Sequence, residues 1–188
     1  MRDLLIAAVS RHQAVELPLD GRVSSAVMVL VEGRPGEERL VFQVRTQTVR
    51  VHKGEISFPG GRRDPEDADL RATALRETHE EVGVPPEAVS VLGVLDDTPT
   101  VGSNHMIRPF VGLLSPEVLP AITAQREVHE LLNVPLVHLL DPSNHVWRPV
   151  ERDGVVEASP AFAYGEHVIW GATARILTQF LSLLRGSA

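Results

Sequence analysis

The sequence predicts an α/β or α+β fold in which a sheet is covered by helices on both faces. Strand-like and helix-like segments intermix along the chain instead of grouping by type. The run Ser24 to Val31 (SSAVMVLV) is dense in Val and Leu, the mark of a buried strand. Helix-period apolar patterns stand near both ends of the chain.

Residues 1–15 read as an amphipathic helix, with Leu4, Leu5, Ala8 and Val9 on one side. Ser24 to Val31 is the first strand, Gly33-Arg34-Pro35-Gly36 a turn, and Leu40 to Val44 the second strand. A stretch rich in Gly, Pro and Arg follows at 45–64, with a short strand at Glu55 to Phe58. A helix is expected from about Glu66 to Val82, with Asp64 as its N-cap and Pro65 in its first position. Asp67 would serve its first turn, and Gly83 with Pro85-Pro86 would end it. Val89 to Asp96 and Arg108 to Leu114 read as strands around a loop carrying Pro99, Gly102 and Asn104. Glu127 to Val134 is a strand leading into a short helix at Pro135 to Leu140. His145 to Val150 and Ala161 to Tyr164 are weaker strand signals. Ile169 to Leu184 closes the chain as a helix with Ala172, Ile176, Phe180 and Leu184 along one stripe.

At 188 residues the chain suits one domain, residues 1–188, with a full core. Apolar residues make up 43% and charged residues 23%, an ordinary globular balance that argues against disorder. No apolar run approaches the roughly 20 residues needed to span a bilayer. The start, Met1-Arg2-Asp3-Leu4, turns polar too soon for a signal peptide, so no membrane partner and a cytoplasmic location are expected. The absence of cysteine excludes disulfides, thiolate catalysis and cysteine-held metals. A net charge of −7 disfavours nucleic acid as a partner. An acidic chain that takes an anionic substrate needs local cations, either bound metal or clustered Arg and Lys.

The chemistry concentrates in the helix ending at Val82. With Glu77 set at zero and about 100° per residue, Glu80 falls at roughly −60° and Glu81 at roughly +40°. The three carboxylates share one face, and Ala68, Ala72, Leu75 and Val82 lie on the other. Like charges at these spacings oppose a helix by roughly 0.2–0.5 kcal/mol each, and the helix dipole disfavours them in its C-terminal half. A divalent cation turns that repulsion into coordination, and hard oxygen ligands select Mg²⁺ or Mn²⁺. Alone, such a string is more often a solvated acidic face. Here Phe58-Pro59-Gly60-Gly61-Arg62-Arg63-Asp64 precedes it, and paired glycines let backbone approach a ligand closely.

Together these segments resemble the Nudix box, G-x(5)-E-x(7)-R-E-U-x-E-E-x-G-U, where U is aliphatic. Arg76, Glu77, Glu80, Glu81, Gly83 and Val84 match its second half, with Thr78 at a U position. From Gly61 the spacing to Arg76 is one residue too long, so the early acidic position falls to Asp67 or a neighbour. The longer form, FPGGRRDPEDADLRATALRE, resembles the coenzyme A pyrophosphatase branch of the family, as does His52-Lys53-Gly54-Glu55-Ile56-Ser57 before it. Arg45-Thr46 stands for that branch's Arg-Ser pair, and Asn133 to Leu136 and Ile169 to Ala174 look like its later blocks. The resemblance covers about residues 23–185 and implies a Nudix-type α/β/α sandwich with a mixed central sheet.

It further implies a Mg²⁺- or Mn²⁺-dependent pyrophosphohydrolase that cleaves coenzyme A or a derivative to 3′,5′-ADP and 4′-phosphopantetheine. Other nucleoside diphosphate derivatives such as ADP-ribose or NADH, nucleoside triphosphates, and a non-catalytic nucleotide sensor are the alternatives. The implied metal ligands are Glu77, Glu80, Glu81 and the Gly61 carbonyl, with Arg76 orienting a glutamate. Glu127 and Glu130 are candidates for a general base, ahead of Asp96 and Asp97. Arg45, Arg50, His52, Lys53, Arg62 and Arg63, with Gly60 and Gly61, are the candidate substrate-binding set, and the 3′-phosphate of coenzyme A gives extra cations a purpose. His79 reads as a buried, satisfied histidine, and Trp147 and Trp170 as core. A homodimer is common in the family, and the sequence carries no diagnostic surface for one.

Overall fold

A computed structural model describes residues 1–46, 55–152 and 155–186. Four α-helices and eleven strands are formed among them. The helices are α1 (Arg2–Arg11), α2 (Leu70–Val82), α3 (Leu136–Leu140) and α4 (Gly171–Gly186). The strands are β1 (Val23–Glu32), β2 (Arg39–Arg45), β3 (Ile56–Ser57), β4 (Gly60–Arg62), β5 (Val89–Val94) and β6 (Thr98–Pro99). They continue with β7 (His105–Leu114), β8 (Val128–Pro135), β9 (His145–Arg152), β10 (Val155–Tyr164) and β11 (His167–Ile169).

Strand β1 is the spine of a mixed sheet. It runs parallel to β7 along one edge, while β2 and β4 share its other edge, both antiparallel. β2 takes Leu30 to Glu32, and β4 takes Ser25 to Val27. Between them the Met28 N–H donates to the Pro59 carbonyl. β5 and β6 extend the sheet beyond β7, and β3 and β8 pair with β2. Alternate residues of β1 serve two cores, as period-2 geometry requires. Ala26, Met28 and Leu30 face the core that holds Ala74 and Val82 of α2. Val29 and Val31 face a larger core with Leu5 and Val9 of α1 and Ile176, Phe180 and Leu184 of α4. The sheet is thus sandwiched between helices, as expected. A second antiparallel sheet, β11-β10-β9, packs through Phe162 and Ile169 into the larger core. Among the described residues no helix is long and apolar enough to cross a membrane.

Several boundaries differ from the sequence reading. α4 starts at Gly171 because Ile169, in β11, pairs with Phe162, and β7 starts at His105, ahead of Arg108. Three further differences have a visible cause. α1 ends at Arg11, short of residue 15. The carboxylate of Asp96 accepts from the Val15 N–H and that of Asp97 from the Leu17 N–H, so this backbone bonds to side chains instead of continuing the helix. α2 begins at Leu70, because Asp69 caps it by accepting from the Ala72 N–H at 2.8 Å. Asp64 is therefore not the cap, and residues 64–69 form a turn closed by the Asp64 N–H donating to Asp67. β10 is a ten-residue strand, far longer than Ala161 to Tyr164, since it pairs along the whole of β9.

Candidate active site

The site forms where α2 crosses β4. Strand β4 consists of two box glycines and Arg62, and a side chain at either glycine would collide with what faces it, backbone at Gly60 and a carboxylate at Gly61. A Cβ on Gly60 would meet the Ala26 carbonyl and lie 2.5 Å from the Val27 Cα, and its φ of +152° is itself unfavourable for other residues. A Cβ on Gly61 would lie 2.5 Å from Glu77 Oε1. The backbone of β4 therefore lies directly against the carboxylate of the helix.

The three glutamates share a helix face but not an environment. Glu80 is exposed at 56% of its side chain, Glu77 is half-buried, and Glu81 is buried. The core-facing side of α2 is Thr73, Ala74, Thr78, Glu81 and Val82. The expected stripe is corrected in part: Ala68 is exposed and precedes the helix and Ala72 is half-buried, whereas Leu75, half-buried, packs against the core beside Val82 as expected. Glu81 is drawn inward because its Oε2 accepts from the Gly60 N–H at 2.8 Å and from Gln43 Nε2 at 2.9 Å. Burial outweighs those two bonds and pushes the Glu81 carboxyl up to about 7. Burial also raises Glu77, against the pull of Arg76.

Arg76 is the hub of this face. Its Nε and one terminal nitrogen hold the two oxygens of Asp67 at 2.9 and 3.0 Å. The other terminal nitrogen donates to Glu77 and to Glu80, each at 3.1 Å. Asp67 is buried, accepts also from the Thr73 hydroxyl, and is held well below the usual carboxylate range chiefly by Arg76. The long box thus delivers its early acid as the anchor of Arg76, which in turn orients Glu77 and Glu80.

The donor set suits a hard divalent cation: three carboxylates, of which Glu77 raises Glu81 and Glu80 raises Glu77 by their mutual repulsion. Among the described residues, no three acidic or imidazole groups already converge as a ligand set. Arg76 holds Glu77 and Glu80, while Gln43 and Gly60 hold Glu81.

A NUDIX domain family model matches residues 22–111. A Photorhabdus laumondii relative, "Uncharacterized Nudix hydrolase NudL", is 36% identical over 170 residues, covering 90% of this chain and 83% of its own. The chain belongs to the Nudix hydrolase family. A Yersinia enterocolitica protein of the same description is 36% identical over 174 residues, covering 90% of this chain and 87% of its own. In fold, this Nudix hydrolase is similar to a C. elegans Ap4A hydrolase, with a TM-score of 0.56, 17% identity, and 87% and 98% of the two chains covered. A MutT/nudix family protein from Enterococcus faecalis matches with a TM-score of 0.57 at 15% identity over 93% and 66% of the chains.

A cleft of about 470 Å³ opens beside Gly60 and Gly61 in this Nudix hydrolase. Arg45 lines it, and so do Glu55 to Phe58 of the segment before the box. Arg45 also lies 3.9 Å from Glu127 and favours the ionised form of Glu81, so Glu127 stands one arginine away from the α2 carboxylates. Glu130 is placed differently. It pairs across the sheet with Val44, on the face opposite Gln43, and lies 3.7 Å from His167. Arg62 is exposed, and its carbonyl accepts from Arg76. Arg63 donates to the Asp67 and Ala68 carbonyls and so ties down the turn before α2. Asp96 and Asp97 are occupied by the 12–17 segment and by Arg108. Arg50, His52 and Lys53 lie outside the described residues.

Two readings are corrected: His79 is exposed, and neither tryptophan is core, with Trp147 exposed at 69% and Trp170 lining the cleft. The sequence reading also missed Gln43, Ser25, His105 and Arg175. Gln43 carries a visible signal, a fully buried amide in the otherwise apolar strand interior LVFQV. Ser25, His105 and Arg175 carry none, because tertiary pairing of β1 with β7 and docking of α4 bring them to the cleft.

Proposed function

We propose that this Nudix hydrolase cleaves the diphosphate of coenzyme A or a derivative, giving 3′,5′-ADP and 4′-phosphopantetheine. One observation carries the reading. The two blocks that resemble the coenzyme A pyrophosphatase branch, Arg45 with Glu55 to Gly61 and Trp170 to Thr173, are more than a hundred residues apart and line one cleft.

Glu77, Glu80, Glu81 and the Gly61 carbonyl would hold magnesium or manganese. Bound there, the ion supplies charge neutralisation for the diphosphate and activation of the attacking water. Arg76, fixed by Asp67, keeps Glu77 and Glu80 on the face that meets β4. Gln43 and the Gly60 N–H fix the orientation of Glu81. Arg45 brings a cation to the cleft beside these acids and offsets the charge of an approaching diphosphate. Glu127, on the far side of Arg45, is the protein's candidate base.

Product analysis tests the substrate. Coenzyme A, ADP-ribose, NADH and dGTP are mixed in one pot with the protein, with and without Mg²⁺, and products are read by mass spectrometry. The expected result is magnesium-dependent 3′,5′-ADP and 4′-phosphopantetheine from coenzyme A ahead of any other product. Cleavage of another substrate alone would retain the Nudix chemistry and reject coenzyme A. No cleavage with either Mg²⁺ or Mn²⁺ would favour a nucleotide sensor.

A further inference from the structure

Trp170 stands at the start of α4, immediately before Gly171. It is 36% exposed and lines the cleft beside the box glycines. A partly exposed indole is ordinary in itself; what singles Trp170 out from the more exposed Trp147 is its place in the cleft lining. Its ring is not loose: the Arg148 guanidinium sits over it, 4.9 Å from the centroid. Arg148 is exposed and is not among the residues that line the cleft, whereas Trp170 is.

The rest of the cleft has a matching character. Val101, 54% exposed, is the other exposed apolar residue of the lining, and it comes from a different segment, the loop before β7. Val27 and Ile107 form apolar floor from adjacent β1 and β7. His105, whose ring nitrogen is bonded to the Ser25 hydroxyl at 2.6 Å, adds a polar group to the lining. A flat group gains most from such a site. A planar base has two π faces to lay against an indole, whereas a linear amide arm presents none.

We propose that this cleft is the nucleobase subsite and that Trp170, backed by Arg148, is the platform on which the base stacks. The inference rests on the diphosphate-cleaving reading only in taking a nucleotide as the ligand. It places the nucleoside half of the substrate, and not the leaving or accepting X half, between α4 and β1. Trp170 then sets affinity for the base and takes no part in the chemistry at the carboxylates.

A binding measurement without metal separates this inference from the activity. In a Trp147→Phe background Trp170 is the remaining tryptophan, since the chain has two. Adenosine 3′,5′-bisphosphate is titrated against its fluorescence, with 4′-phosphopantetheine as the comparison. Saturable quenching by the bisphosphate, weak or absent with phosphopantetheine, is expected. Trp170→Ala should raise KM for a cleaved adenine nucleotide by about tenfold, the scale of one base–aromatic stack, with kcat within about twofold, and Trp170→Phe should recover most of the loss. Quenching by phosphopantetheine alone would assign the cleft to the other half of the substrate. No quenching by either, in a protein that still cleaves coenzyme A, would overturn the subsite and leave the reaction standing. Quenching by the bisphosphate in a protein that cleaves no coenzyme A would uphold the subsite and reject the substrate.

Discussion

Glu81→Gln will lower turnover by on the order of 10³-fold and leave the fold intact. Several kcal/mol of transition-state charge stabilisation come from a catalytic metal ion, and each 1.36 kcal/mol is a factor of ten in rate. Glutamine is nearly isosteric, and its amide oxygen still accepts from the Gly60 N–H and Gln43, so packing is retained. The substitution has a second, opposite effect on stability. Burial raises the Glu81 carboxyl from 4.5 to about 7 in the folded, metal-free chain. The folded state therefore holds this proton more tightly than the unfolded state. There is no penalty below about 4.5, and stability falls as pH rises through about 7. Above that window Glu81→Gln removes the penalty, so the metal-free variant should melt higher than the metal-free parent at pH 8. At pH 4 the two should converge. Thermal melts in chelator at both pH values, beside initial rates with Mg²⁺, check both halves. Equal rates in parent and variant would remove Glu81 from the metal site.

Gly61→Ala is expected to cost at least about 10²-fold in activity, the scale at which misplacing a reacting group by an ångström is felt, with little loss of stability. The added methyl meets the Glu77 carboxylate at 2.5 Å, the far end of a flexible side chain that can swing away. The helix survives the change, but the carboxylate leaves its place. Gly60→Ala is the contrasting control. There the methyl meets the backbone of Ala26 and Val27, which cannot yield without opening β1 from β4. Circular dichroism melts and rates should therefore dissociate for Gly61→Ala, with a near-parental melt and lost activity, and fall together for Gly60→Ala. A normal rate in Gly61→Ala would mean that Glu77 does not need its observed position.

Much of this arrangement was legible in the sequence because local rules dictate it. The apolar run in β1, the stripe of α4, and the stop of α2 at Gly83, whose φ of +67° is the left-handed cap, each follow from residues close in sequence. Periodicity alone puts the three glutamates on one helix face. What periodicity could not supply was their inequality. Glu81 is buried and Glu80 exposed because Gln43 and Gly60, 38 and 21 residues away, bond to one and not the other. The start of α2 escapes local rules for a similar reason. Asp64, Asp67 and Asp69 are each able to cap, and the choice is made by Arg76, which takes Asp67 from nine residues on. Residue type alone assigns Trp170 to the core, whereas the cleft that exposes it is built from β1, β7 and α4 together.

The most direct test of the central claim, that the carboxylates of α2 hold the metal, is Mn²⁺ binding followed by electron paramagnetic resonance. The parent protein should bind Mn²⁺ saturably and release it to excess Mg²⁺, and Glu81→Gln should weaken that binding strongly in a folded chain. Equal Mn²⁺ affinity in parent and variant, or no binding by the parent, would contradict the account.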